Sequence, residues 1–102
     1  MPYDIQILND AEKDFDEAYI WYESKQIGLG IEFIDQIDLA LQKISRNPQA
    51  FQKIFKKTRR YIIGKFPFGL YYLVDDVNKE IKVIAVLHFK RSPKSYRKKA
   101  NK

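Results

Sequence analysis

From Asn9 to Asn47 the apolar residues return every three or four positions, and from Thr58 to Phe89 they follow the shorter period of strands. Ala11, Phe15, Ala18, Tyr19 and Tyr22 fall on one face of a first predicted helix. Asn9 is placed to cap it, with Glu12 at the capping-box position and further acids in the first turns, where the helix dipole favours them. Gly28-Leu29-Gly30 interrupts the pattern, and a second helical period starts at once through Phe33, Ile34, Ile37, Leu41 and Ile44. Asn47-Pro48 ends it. So short a connection predicts an antiparallel helix hairpin.

Ahead of the hairpin, Tyr3 to Leu8 alternates loosely and reads as a short strand. After it come three strand-like runs, Thr58–Ile63, Phe66–Val74 and Glu80–Phe89, the last two joined by a turn at Asp75-Asp76-Val77-Asn78. Val83-Ile84-Ala85-Val86-Leu87 is apolar at every position, as expected of an interior strand with helices on one side. Pro67 cannot donate to a ladder and marks a strand start, a bulge or an edge. The predicted fold is α+β in the order β-α-α-β-β-β, with the hairpin packed on a mainly antiparallel sheet. Residues 1–102 form a single domain, and about 90–102 form a basic tail.

With 102 residues, 12.2 kDa and 45% hydrophobic residues, the chain has material for one core, so any site lies on or beside it. It has no cysteine, which excludes disulfides, thiolate zinc sites and a cysteine nucleophile. There is no leader-like start and no apolar run near the ~20 residues of a membrane span, so the expectation is a soluble cytoplasmic protein without a membrane partner. The net charge of +6 hides a division. Through Asn47 there are 4 basic and 10 acidic residues, and from Pro48 onward 15 and 3. One acidic half and one strongly basic half suggest a polyanionic or acidic partner for the latter, although basic runs also serve only solubility.

Candidate chemistry is sparse. His88, the single histidine, precedes Phe89-Lys90-Arg91, and neighbouring cations would lower its pKa toward that of a useful base; a structural histidine is the competing reading. No second His or Cys supports a metal site, no Gly-x-Ser-x-Gly turn supports a hydrolytic triad, and Gly28-x-Gly30 lacks the third glycine of a phosphate loop. No cofactor is expected. What remains is a basic set including Lys53, Lys56, Lys57, Arg59, Arg60, Lys65, Lys90, Arg91, Lys94 and Arg97, interleaved with Phe55, Tyr61, Phe68, Tyr71, Tyr72, Phe89 and Tyr96. Such residues can contact phosphates and unpaired bases, but strand periodicity assigns most of the aromatics to the core.

Taken in order, Trp21-Tyr22-Glu23, Gly28-Leu29-Gly30 with Phe33, Asn47-Pro48, Arg59-Arg60, Phe66-Pro67-Phe68, Tyr71-Tyr72 and His88-x-x-Arg91-x-Pro93 make the chain resemble the RelE/ParE superfamily of type II toxin-antitoxin toxins almost end to end. The resemblance implies a small toxin neutralised, as a hetero-oligomer, by a cognate antitoxin. It also implies one of two targets. RelE-like members cut mRNA on the ribosome, and ParE-like members bind DNA gyrase.

RNA cleavage through the 2′-hydroxyl needs a proton acceptor, a proton donor and cations for the phosphorane. By resemblance, the arginine that RelE-like enzymes carry on the strand matching Phe66–Val74 is here Gly69. Lys90 or Arg91 would match a second catalytic arginine, and Tyr96 a catalytic tyrosine. A nuclease reading therefore draws on Arg60, His88, Lys90, Arg91 and Tyr96. The tryptophan-tyrosine-glutamate, glycine-leucine-glycine and phenylalanine-proline-phenylalanine pieces favour the ParE-like branch, and with it gyrase inhibition by binding. A third alternative is an inactive member that only forms the complex. The expected antitoxin segment is apolar and acidic, and its candidate contacts, or those of the target, are Trp21, Tyr22, Arg59, Arg60 and Arg91.

Overall fold

The computed structural model describes residues 2–88. Lys90, Arg91, Tyr96 and the rest of the basic tail lie outside the described residues. Strand β1 (Asp4–Ile7) leads into helices α1 (Asn9–Lys25) and α2 (Leu29–Arg46). A 3-10 turn (Pro48–Ala50) connects these to β2 (Lys53–Phe55), β3 (Thr58–Ile62), β4 (Phe68–Asp75) and β5 (Glu80–His88). The sheet order is β1-β5-β4-β3-β2, with β1 parallel to β5 and every other pair antiparallel. The α+β architecture read from the sequence is present, with one strand more than expected.

The helices form because their apolar stripes have the sheet to cover. Ala11, Ala18 and Tyr22 of α1 and Phe33, Ile37, Ala40 and Ile44 of α2 pack on Leu70, Tyr72, Ile81, Val83 and Val86. Each large apolar side chain buried in this way contributes roughly 1.5–3 kcal/mol. At one end Tyr22 meets Phe33, Phe66 and Phe68 with ring centroids 5.4, 4.7 and 5.9 Å away. At the other, the buried Tyr72 hydroxyl donates 2.7 Å to the Pro48 carbonyl, tying the turn after α2 to the sheet. Burial pushes the Tyr72 pKa up to about 12, against a smaller opposing pull from Arg59.

The hairpin turn is built around Glu23. Its carboxylate accepts from the Gly28 N–H at 3.0 and 3.2 Å and from the Gly30 N–H at 3.0 Å, satisfying donors that the start of α2 leaves open. Gly28 sits at φ +91°, and a Cβ on Gly30 would stand 2.8 Å from the Tyr19 ring and 2.9 Å from a Glu23 oxygen. The Trp-Tyr-Glu and Gly-Leu-Gly pieces are thus two sides of one turn.

Four local expectations change. Asn9 does not cap α1: Leu8, in extended conformation, takes the cap position without a side-chain bond, because its N–H is held by the Val83 carbonyl and the chain enters the helix directly from that pairing. Strand β4 begins at Phe68 rather than Phe66, since Pro67 has no N–H and the Phe68 N–H closes a tight turn onto the Phe66 carbonyl at 2.7 Å. Short β2 goes unforeseen in a Lys- and Gln-flanked stretch. Lastly, β5 carries a bulge: Tyr71 faces Ala85 and Tyr72 faces Val83, so Ile84 has no partner on β4. The bulge puts Ile81, Val83 and Val86 on the helix-covered face, and Ile84, Ala85 and Leu87 with Tyr71 on the other. An uninterrupted apolar run is the result.

Candidate functional site

Adjacent residues on a helix point about 100° apart, and α1 uses that angle to separate Trp21 from Tyr22. Tyr22 is buried in the aromatic cluster, whereas Trp21 is 55% exposed. The indole is nonetheless held: its centroid lies 5.0 Å from the Tyr22 ring, edge to face at 84°, and 5.0 Å from the Lys25 ammonium. Burial raises the pKa of the Tyr22 hydroxyl.

Trp21 lines a groove of about 580 Å³ between α1 and the ends of β4 and β5, together with Phe68, Val86 and His88. The groove exists because β1 is short. Its register with β5 ends at Ile7 opposite Val83, so from Ile84 onward β5 has no strand beside it on that side among the described residues. Asp14 comes down from α1 to occupy part of the gap and accepts the Val86 N–H at 3.1 Å. Glu17, one turn further along, also lines the groove. His88 stands at the last position of β5, its ring edge-on to Phe68 at 5.4 Å and 80°.

The two arginines of the sequence pair part company. Arg59 lies opposite Tyr72 on the helix-covered face. Its Nη1 donates to the Phe51 carbonyl at 2.6 Å and the Gln49 carbonyl at 3.2 Å, pinning the segment after the 3-10 turn to β3. That is a structural duty. Arg60 lies opposite Tyr71 on the other face. Its aliphatic stem runs across Gly69, where an added Cβ would come 3.0 Å from Arg60 Cδ and 3.1 Å from Cγ, with Tyr71 Cε1 at 3.2 Å. The side chain that Gly69 lacks leaves the room that the Arg60 stem takes.

Arg60 and His88 therefore stand on opposite faces of the sheet, and Trp21 is nearer in environment to His88 than to either arginine. Lys90, Arg91 and Tyr96 lie outside the described residues. Among those described, no three His, Asp or Glu side chains converge to hold a metal ion, and no helix is long and apolar enough to cross a membrane. The groove residues Asp14, Glu17, Phe68 and Val86 had no signal as a group in the sequence, because their proximity depends on where β1 stops and on the bulge. A glycine amid the aromatic run of β4 was the available hint for the Arg60 slot.

No family model matches the chain, and no match is found among curated proteins. Solved structures do match in fold. A double arginine-to-alanine mutant of the E. coli toxin RelE in the free state superposes with a TM-score of 0.72 at 15% identity, over 99% of this chain and 97% of that one. A chain of the chromosomal ParDE TA system from P. aeruginosa gives 0.70 at 19% identity, over 84% and 95%. One from the RelBE2 toxin-antitoxin complex of Mycobacterium tuberculosis gives 0.63 at 17%, over 86% and 99%. The fold is that of the RelE and ParE toxins.

Proposed function

We propose that the chain is the toxin of a type II toxin-antitoxin pair, that a cognate antitoxin neutralises it in a hetero-oligomer, and that it acts in the cytoplasm by binding DNA gyrase rather than by cutting mRNA. The fold likeness extends over nearly the whole chain and to RelE and ParE structures alike, so it supports the toxin role without choosing a target. The choice of binding over cutting rests on one observation. Gly69 brings no cation to β4, and the two described members of the nuclease set, Arg60 and His88, do not share a face of the sheet. In-line transfer to phosphorus requires its acid, base and cations around one phosphate.

A second reading, a ribosome-dependent mRNA endonuclease, draws support from the match to RelE over 99% of the chain. Its remaining residues are Lys90, Arg91 and Tyr96. An in vitro supercoiling assay with purified, antitoxin-free protein separates the two. Inhibition of gyrase at stoichiometric protein supports the binding reading, and full supercoiling at excess protein with codon-linked cuts in a toeprint overturns it in favour of the nuclease.

A further inference from the structure

A tryptophan more than half exposed, on the wall of a concave apolar surface, is an unusual use of the only indole in the chain. The ring is already oriented by Tyr22 and Lys25, so a partner that covers it has little side-chain ordering left to pay for. Phe68, Val86 and Ala18 supply further apolar lining, and the volume of about 580 Å³ accommodates several side chains of an incoming segment.

The charge of the groove points away from the acidic segment that the resemblance implies. Two carboxylates, Asp14 and Glu17, line it, against one ammonium beside it, that of Lys25 on the Trp21 ring, and α1 as a whole carries six acids against two lysines. Asp14 is engaged by the Val86 N–H, which fixes its position. An acidic side chain seated beside Asp14 and Glu17 would face like charge from the same helix, whereas a cation gains there.

We propose that the groove between α1 and the C-terminal half of β5 is the docking site for a locally basic antitoxin segment, which lays an aliphatic side chain against Trp21 and Phe68 and directs a Lys or Arg to Glu17. This rests on the chain being the neutralised half of a pair. It adds that the acidic part of the partner belongs on the Arg60 face, and that the segment crossing α1 has the opposite sign.

Trp21 is a built-in reporter, because it is the single tryptophan of the chain and stands in the groove. Two 12-residue Leu/Ala peptides, identical except for Arg or Glu at every fourth position, are titrated into the full chain while its emission is followed. The Arg peptide is expected to give a saturable blue shift, to bind at least tenfold more tightly than the Glu peptide, and to weaken several-fold from 50 mM to 500 mM salt. Since the chain as a whole is +6, general attraction would favour the Glu peptide instead. Glu17→Lys, at an exposed position, is expected to abolish the preference while circular dichroism stays unchanged. Equal or tighter binding of the Glu peptide, no saturable change with either, or a preference untouched by Glu17→Lys would overturn the proposal. The titration needs neither gyrase nor growth arrest, so its failure is separate from failure of the toxin reading.

Discussion

Replacing Glu23 by alanine removes the acceptor of two backbone donors at the start of α2. The Gly28 and Gly30 N–H groups lie 3.0–3.2 Å from its oxygens, and the Gly30 position is buried. A hydrogen bond to a charged acceptor contributes about 1.5–3 kcal/mol. The two donors share one side chain, and the half-buried Gly28 can turn to water, so the sum is less than twice that. The carboxylate also sits at the positive end of the α2 dipole, where it gains a further ~0.3–1 kcal/mol. A destabilisation of about 2–4 kcal/mol follows. For a domain of this length it lowers Tm by roughly 10–20 °C. Glu23→Gln keeps one oxygen able to accept and is expected to lose only about 1 kcal/mol. Thermal melts by circular dichroism on the three proteins measure the series. A Glu23→Ala protein melting within about 4 °C of wild type, the low end of what 1 kcal/mol produces in a domain of this size, would refute the turn as the reason for Glu23.

Further outcomes follow from the sheet. Tyr72 is neutral in the fold with its pKa raised to about 12, so its contribution is complete below the unfolded pKa near 10 and is lost as pH rises from 10 to 12. That loss reaches about 2–3 kcal/mol in urea denaturation. Tyr72→Phe should be less stable at pH 7 and show a flatter decline over that interval. Arg59→Glu strips the Phe51 and Gln49 carbonyls of their donor and sets a carboxylate against them, for a cost of about 2–3 kcal/mol. Arg60→Glu should destabilise less than Arg59→Glu, which loses two carbonyl contacts, and should instead weaken antitoxin binding, mostly at low salt. Equal destabilisation by the two reversals would contradict their assignment to different faces. Gly69→Ala pushes on the Arg60 stem, so its effect on antitoxin affinity should be non-additive with Arg60→Ala in a double-mutant cycle; simple additivity would remove the slot from the account.

Much of this architecture was visible in the chain because its long elements have one-sided periodicity. The stripe from Phe33 to Ile44 needs a helix and a surface to cover, and the run from Val83 to Leu87 needs an interior strand. What escaped depends on pairing. Three-residue β2 has no period to read, Asn9 resembled a cap until the Leu8 N–H proved to be held across the sheet by Val83, and the Ile84 bulge leaves no mark in a run that is apolar throughout. The site was legible in the same uneven way. Trp21 and Tyr22 were candidates as a pair, yet only Trp21 is at the surface. Arg59 and Arg60 were likewise grouped, and strand alternation divides them. The motif pieces that suggested a ParE-like chain, Trp-Tyr-Glu with Gly-Leu-Gly and the Phe-Pro-Phe turn, build the hairpin and the aromatic cluster, so they mark the fold more than the target.

The most direct measurement of the central claim is plasmid topology after induction of the chain in cells that lack its cognate antitoxin. The account predicts growth arrest with a parallel loss of negative supercoiling on chloroquine gels, both reversed by co-expression of the antitoxin. Unimpaired growth with unchanged topology, or arrest with unchanged topology and cleaved mRNA, would contradict it.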